Sequence, residues 1–260
     1  MEAMILCRIR STFLTVALLF CFSSSYASDV FQEWLDLYQP LLQKYVVKGK
    51  KRGIYTTLVD YNGLRGDTDF RKVIYDLARL PSFETLPDKK DQLAMWINAY
   101  NVLCMKIIVE NPKLKSIKDL DSAFSSIWKK KIGVVSGKKY SLDEIEHDTI
   151  RARFNEPRIH FAVNCASLSC PDLANYAYRG EHLDEQLDHQ TQAFLSNKTK
   201  GMNIAEGNEK IYLSKIFKWY SEDFSPSVKE WLESNKYITQ QELSYKTGYL
   251  KYDWALNSAN

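Results

Sequence analysis

Between Asp91 and Glu110 the chain carries Leu93, Met95, Trp96, Ile97, Tyr100, Val102, Leu103, Ile107, Ile108 and Val109. At about 100° per residue these positions go almost all the way round a helix, leaving no face to give to water. Such a helix is stable only when other elements enclose it, so the segment predicts a buried central helix. Asn111-Pro112 stops it, because a residue before proline is pushed out of the helical region. Asn98 and Asn101 interrupt the apolar surface at i and i+3 and project from one side. Buried amides need hydrogen-bond partners, so these two are expected to hold backbone groups or orient a neighbour.

The chain has 260 residues, 45% of them hydrophobic, which is enough to enclose that helix in one sizeable core. Its 35 basic and 32 acidic residues leave a net charge of +3, which calls for neither nucleic acid nor an anionic membrane. The basic clusters Lys48–Arg52 and Lys129–Lys131 are short and read as solvated loops. Arg8 and Arg10, then the apolar stretch Phe13–Phe22, then Ser25-Tyr26-Ala27 read as a cleavable signal peptide over residues 1–27. The expected mature protein is one domain over residues 28–260, periplasmic or secreted, with no membrane contact after cleavage. It retains Cys104, Cys165 and Cys170.

Around the central helix the patterns predict helices over Val30–Val46, kinked or divided at Pro40, and over Asp69–Leu80. A strand is expected over Ile54–Tyr61, with a turn at Asn62-Gly63, and a hairpin over Ile132–Tyr140 about Ser136-Gly137. The capping box Ser141-x-x-Glu144 starts a helix reaching Phe154. Arg158–Asn164 reads as a strand and His182–Ser196 as a helix. Met202–Ala205 and Lys210–Leu213 form a second hairpin, followed by helices at Ser214–Tyr220, Ser227–Ser234 and Thr239–Thr247 and an alternating strand over Tyr249–Leu256. Strands arranged mostly as hairpins predict an α+β fold: a helix-rich single domain with a buried central helix packed on a small, mainly antiparallel sheet.

Three clusters carry chemistry. In the first, His160-Phe161-Ala162-Val163-Asn164-Cys165 runs into Ala166-Ser167-Leu168-Ser169-Cys170-Pro171. Cys165 sits where the expected strand ends, and a helix opening at Pro171-Asp172 would offer free N–H groups to lower a thiol's pKa or to form an oxyanion hole. Odd spacing along a strand puts His160 and Cys165 on opposite faces, so His160 reaches the sulfur only if the chain folds back sharply. His147 is then the better candidate base. In the second cluster, Glu146 falls within the apolar stripe of its helix, where a carboxylate needs a partner, and His147 lies at the stripe's edge. The third is Asn98 with Asn101. Bland readings stand beside these: a Cys165–Cys170 disulfide or two inert buried thiols, an ion-paired Glu146, and Cys104 as a core residue. Zinc on His160, Cys165 and Cys170 lacks a fourth ligand, and no metal or cofactor is expected.

These clusters resemble the domain of unknown function 547 family through Trp96-Ile97-Asn98-Ala99-Tyr100-Asn101, Ile145-Glu146-His147 with Arg151, and His160–Cys165 with Ser169-Cys170-Pro171. Leu213–Phe217, Trp219 and Asp223-Phe224 fit a downstream segment, so the likeness covers roughly residues 93–224. The resemblance implies a fold unit and no defined reaction. A buried helix followed by a histidine-bearing strand is also similar to papain-like and transglutaminase-like layouts, although no cysteine stands at the start of this helix. One reading of the residues is a candidate thiol-dependent enzyme performing acyl transfer or thiol-redox chemistry on a peptide-like substrate. Cys165 would be the nucleophile, His147 or His160 the base, and Asn98 or Asn164 the orienting group. The competing expectation is a non-catalytic binding module for a peptide, a small thiol or an envelope protein, with a groove lined by Trp219, Tyr220 and Trp254. A purely structural accessory domain is the third.

Overall fold

The computed structural model describes residues 26–259. The expected signal peptide lies outside them except for residues 26 and 27, which open helix α1 (residues 26–45). Helix α1 buries Phe31, Trp34, Leu35, Tyr38, Leu41, Leu42 and Tyr45, the spacing read from the sequence. It runs through Pro40 undivided, because Pro40 and Asp36 both lie on the exposed side, where water can serve the carbonyl that proline leaves unbonded. A hairpin follows, β1 (Val46–Lys51) and β2 (Ile54–Val59), turning on Arg52 (φ 51°) and Gly53 (φ 84°). The basic run expected as a loop is therefore mostly an edge strand with its lysines outward. Helices α2 (Tyr61–Gly66) and α3 (Thr68–Leu77) lead to α4, Lys89–Glu110.

Helix α4 is the axis of the molecule. Asp88 caps it by accepting from Lys90 N, and its side chains from Leu93 to Met105 are all buried. It is long and apolar enough to cross a membrane, but it is enclosed by the fold. Its neighbours are largely helical: α2, α3, a wide helical turn at Glu144–Arg151, and α5 (Leu183–Ser196) with the turn preceding it. The sheets are small and separate. Hairpin β3–β4 (Gly133–Val135, Lys138–Tyr140) touches α4 where Gly133 meets the Leu103 side chain. A three-stranded sheet places β6 (Lys210–Leu213) between antiparallel β5 (Met202–Ala205) and parallel β7 (Lys246–Tyr249). With α6 (Ile216–Trp219) and α7 (Val228–Ser234), that sheet encloses a second core around Phe161, Phe194, Phe217, Phe224 and Trp231. The α+β class holds, as do both sequence-read hairpins.

One expected strand is absent and another is displaced. Arg158–Asn164 is instead a tight three-residue-per-turn helix over Pro157–Phe161 and a turn. Pro157 starts it, and the Glu156 carboxylate accepts from Arg158 N at 3.0 Å. Asn101 then accepts from Asn164 N (2.8 Å) and donates to Ala162 O (3.0 Å), using the backbone groups a ladder would need. The segment straddles the cores, with Ile159 and Ala162 in the first and Phe161 in the second. The closing strand lies upstream of its expected place, at Lys246–Tyr249. Gly248 does not end a helix but sits where a Cβ would come within 2.8 Å of the Tyr212 ring.

Residues 250–259 form a strap. Leu168 N donates to Ala255 O, Asn257 N to Ala166 O and Val59 N to Asn257 O, lacing the cysteine loop to β2. Because Asn101 pairs two buried backbone groups, Ala162 O and Asn164 N, Asn101→Ala should cost about 2–5 kcal/mol, read as a lowered urea midpoint.

Candidate active site

At the seam between the two cores lies a cavity of about 350 Å³. Tyr100 and Val163 reach it from the α4 core, Ile216 and Tyr252 from the other. Cys165, Cys170, His160, His147 and Glu146 all line it. Trp219, Tyr220 and Trp254, the expected groove, line this same cavity, so thiols and aromatic wall form one site.

The two sulfurs lie 2.9 Å apart and unbonded. The backbone after Cys165 is forced round by Ala166 at φ +60°, a left-handed conformation that costs a residue with a Cβ about 1 kcal/mol. Asn164 holds the bend: its Oδ1 accepts from Ala166 N (2.8 Å) and its Nδ2 donates to Pro171 O (2.7 Å). Opposite, the buried Lys200 ammonium donates to Cys170 O (2.7 Å) and Asp172 (2.6 Å), fixing the second cysteine's backbone. Asp172 also accepts from Thr57 N and Thr56 Oγ1. Committed in this way, it starts no helix, and residues 171–179 are irregular.

Without a helix terminus, direct donors stabilise the thiolate. The Cys170 thiol is the largest influence on Cys165. Burial opposes it, but the Ser167 and Tyr252 hydroxyls and the Ser167 N–H help bring Cys165 down to about 7. Those hydroxyls stand 3.2 and 3.4 Å from the sulfur. Burial and the neighbouring Cys165 push Cys170 the other way, well above the usual thiol range. The loop's N–H groups are spoken for: Asn164 donates to Asn101, Cys165 to Cys170 Sγ, Ala166 to Asn164 and Ser167 to Cys165. Leu168, Ser169 and Cys170 donate to Ala255, Asp253 and Ser167 carbonyls. The oxyanion hole expected from this loop has no donor left to form it.

The histidines are wired together. His160 Nε2 lies 2.6 Å from Asp223 Oδ2, so the ring donates there and Nδ1 is its basic atom. The ring leans on Tyr220, with centroids 4.1 Å apart. Arg151 donates to both Asp223 oxygens (2.6 and 2.8 Å) and, at 2.7 Å, to His147 Nδ1, which places the His147 proton on Nε2. Burial pulls the Asp223 carboxyl up, but the hydrogen bonds from His160 and Arg151 outweigh it and hold it well below the usual range. Glu146 is buried beside Tyr220 and hydrogen-bonded to it; burial and then the Glu146 charge push the Tyr220 phenol well up. Glu146 and His147 ride on the wide helical turn, where Thr149 Oγ1 donates to Glu144 O at 3.1 Å. Single wide turns of this kind often occur at functional sites.

Asn98 is placed elsewhere. It exchanges two hydrogen bonds with the Tyr178 backbone (2.8 and 3.0 Å) and does not line the cavity. Asn164 acts through the bend it holds. Among the described residues no three His, Cys, Asp or Glu side chains converge as a metal would need. Sequence reasoning missed Ser167, Lys200 and Tyr252 as site residues. Asp223 stood out only within the family-like segment, without a role.

Residues 83–195 match the family model described as "Protein of unknown function, DUF547". The match begins upstream of Leu93 and ends before the Leu213–Phe224 segment. No curated protein and no solved structure matches the chain.

Alkylation of Cys165 should follow a titration near pH 7, and Ser167→Ala and Tyr252→Phe should each shift its midpoint upward, read from iodoacetamide rates against pH. Asp223, depressed in the folded state, stabilises the fold above the ordinary carboxylate pKa of about 4, and this contribution fades as pH falls. Asp223→Asn should therefore cost about 1–3 kcal/mol at pH 7. The gap to wild type should narrow below about pH 4 in denaturation curves.

Proposed function

We propose that this chain, whose residues 83–195 match the DUF547 family model, is a thiol-dependent enzyme whose Cys165 thiolate exchanges disulfides and whose Cys170 resolves the product. The observation that carries the reading is the asymmetric thiol pair, 2.9 Å between sulfurs, at the wall of a ligand-sized cavity. One thiol is lowered to about 7 and the other is raised, the division of labour between an attacking and a resolving cysteine. Cys165 S⁻ attacks a disulfide R–S–S–R′, forms Cys165–S–S–R and expels R′S⁻. Cys170, on losing its proton, attacks Cys165 Sγ and expels RS⁻. The chain is left with a Cys165–Cys170 disulfide, and the substrate is reduced to two thiols. His160, oriented by Asp223 so that Nδ1 is its basic atom, lines the same cavity and is the group to accept and return those protons. Export to the periplasm or outside, expected from residues 1–27, would set the surroundings that reoxidise or re-reduce the pair.

Acyl transfer is the second reading, favoured by the Asp223-held His160 in the same wall as Cys165. Against it stand the committed N–H groups of the loop, which leave a tetrahedral oxyanion without backbone donors.

The test uses the reduced full chain in a Cys7→Ser/Cys21→Ser background and an aromatic disulfide that releases a coloured thiolate. Two equivalents per chain are expected, falling to one with a trapped mixed disulfide in Cys170→Ser and to none on that timescale in Cys165→Ser. Fast reaction of Cys165→Ser would overturn the reading, as would two equivalents from Cys170→Ser.

A further inference from the structure

The outer part of the cavity is built unlike its floor. Trp254 sits among three rings: Trp128 edge-on at 5.8 Å, Trp219 stacked at 5.7 Å and Tyr252 at 4.6 Å between centroids. Aromatic faces carry negative charge density and attract cations, indole most strongly. The chain uses this face itself: the ammonium of exposed Lys118 lies 4.8 Å from the Trp254 ring centroid. The carboxylates lining the cavity are Asp121, Asp143 and Glu146, and Lys118 is the one lysine or arginine among the lining residues. Asp121 Oδ1 is used by Ile127 N (2.7 Å), and Asp143 stands 3.8 Å from His147 Nε2. Carboxylates and indole faces therefore bias one compartment toward positive charge, and that compartment ends at Cys165.

We infer that the cavity selects disulfides carrying a positively charged nitrogen a few bonds from sulfur, the cation resting against the Trp254 wall and the sulfur facing Cys165. The inference rests on the exchange reading for its sulfur chemistry and on the wall alone for its charge preference. A volume of about 350 Å³ accommodates a small molecule or one basic side chain with its neighbouring cystine. Lys118 occupies the same face without blocking it, since an exposed lysine swings into water at little cost.

Three disulfides of similar skeleton separate charge from reactivity: cystamine, bis(hydroxyethyl) disulfide and dithiodiglycolate. Their exchange rates with the Cys7→Ser/Cys21→Ser chain are each divided by the rate with free N-acetylcysteine. Cystamine should then lead the neutral compound by about tenfold at low ionic strength, with dithiodiglycolate slowest, and salt should shrink the spread. Asp143→Asn and Trp254→Ala should lower the cystamine preference, whereas Lys118→Ala should raise it. A separate titration of Cys165→Ser with tetramethylammonium, followed by tryptophan fluorescence, should show saturable binding that Trp254→Ala loses.

Equal normalised rates for the three disulfides, with no tetramethylammonium binding, overturn the cation preference and leave exchange standing. Binding of tetramethylammonium without exchange of any disulfide overturns the exchange reading and leaves the cation compartment standing. Comparing cystamine with a lysine-flanked peptide disulfide tells whether the occupant is a small molecule or a basic segment of peptide.

Discussion

The site depends on a hydrogen-bonding problem solved inside the buried, apolar helix α4. Asn101 is almost wholly buried, yet its two ends bind Ala162 O and Asn164 N, backbone groups some sixty residues away in sequence. Those bonds replace the strand the local residues would otherwise favour. They also start a relay: the anchored Asn164 holds Ala166 in a left-handed bend, and that bend brings Cys165 onto Cys170. A core of aliphatic side chains would bury as much area, but it would leave this loop without a defined path, because dispersion and burial are non-directional.

The reactive thiol illustrates two routes to the same end. A helix terminus lowers a thiol's pKa with partial charges spread over several N–H groups. Here a second thiol, two hydroxyls and one N–H act at close range, and their proximity offsets the desolvation that would raise a buried sulfur. The imidazoles are treated differently. Asp223 and Arg151 fix the tautomer of both rings, so their proton-bearing atoms are defined before any ligand arrives.

How much could be read in advance follows from the range of the forces involved. The all-round apolar character of α4, the capping box at Ser141 and the two hairpins are local, and they appear where periodicity and turn chemistry put them. The cysteine loop and His147 stood out by residue type. Ile159 and Val163 looked like strand residues because nothing near them reveals that Asn101 has claimed the neighbouring backbone. Tyr252 could not be found from the thiol's own neighbourhood, since it lies 87 residues away and reaches the sulfur only through the folded strap. Asp223 is likewise 63 residues from the histidine it orients. In each case the missing information is a tertiary contact that no local pattern encodes.

The strap gives the molecule a temporal order as well as a shape. A ribosome makes residues 250–259 after the Cys165 and Cys170 loop, both wired histidines and the whole matched segment. Until Tyr252 arrives, Cys165 lacks one of its donors, and until Ala255 and Asn257 arrive, the loop lacks its outer lacing. A chain that stopped before residue 250 would therefore carry the same two sulfurs with one donor fewer, on a loop fastened only from within. The strap adds the last donor and the last fastening to a couple whose main interaction is the one between the two sulfurs.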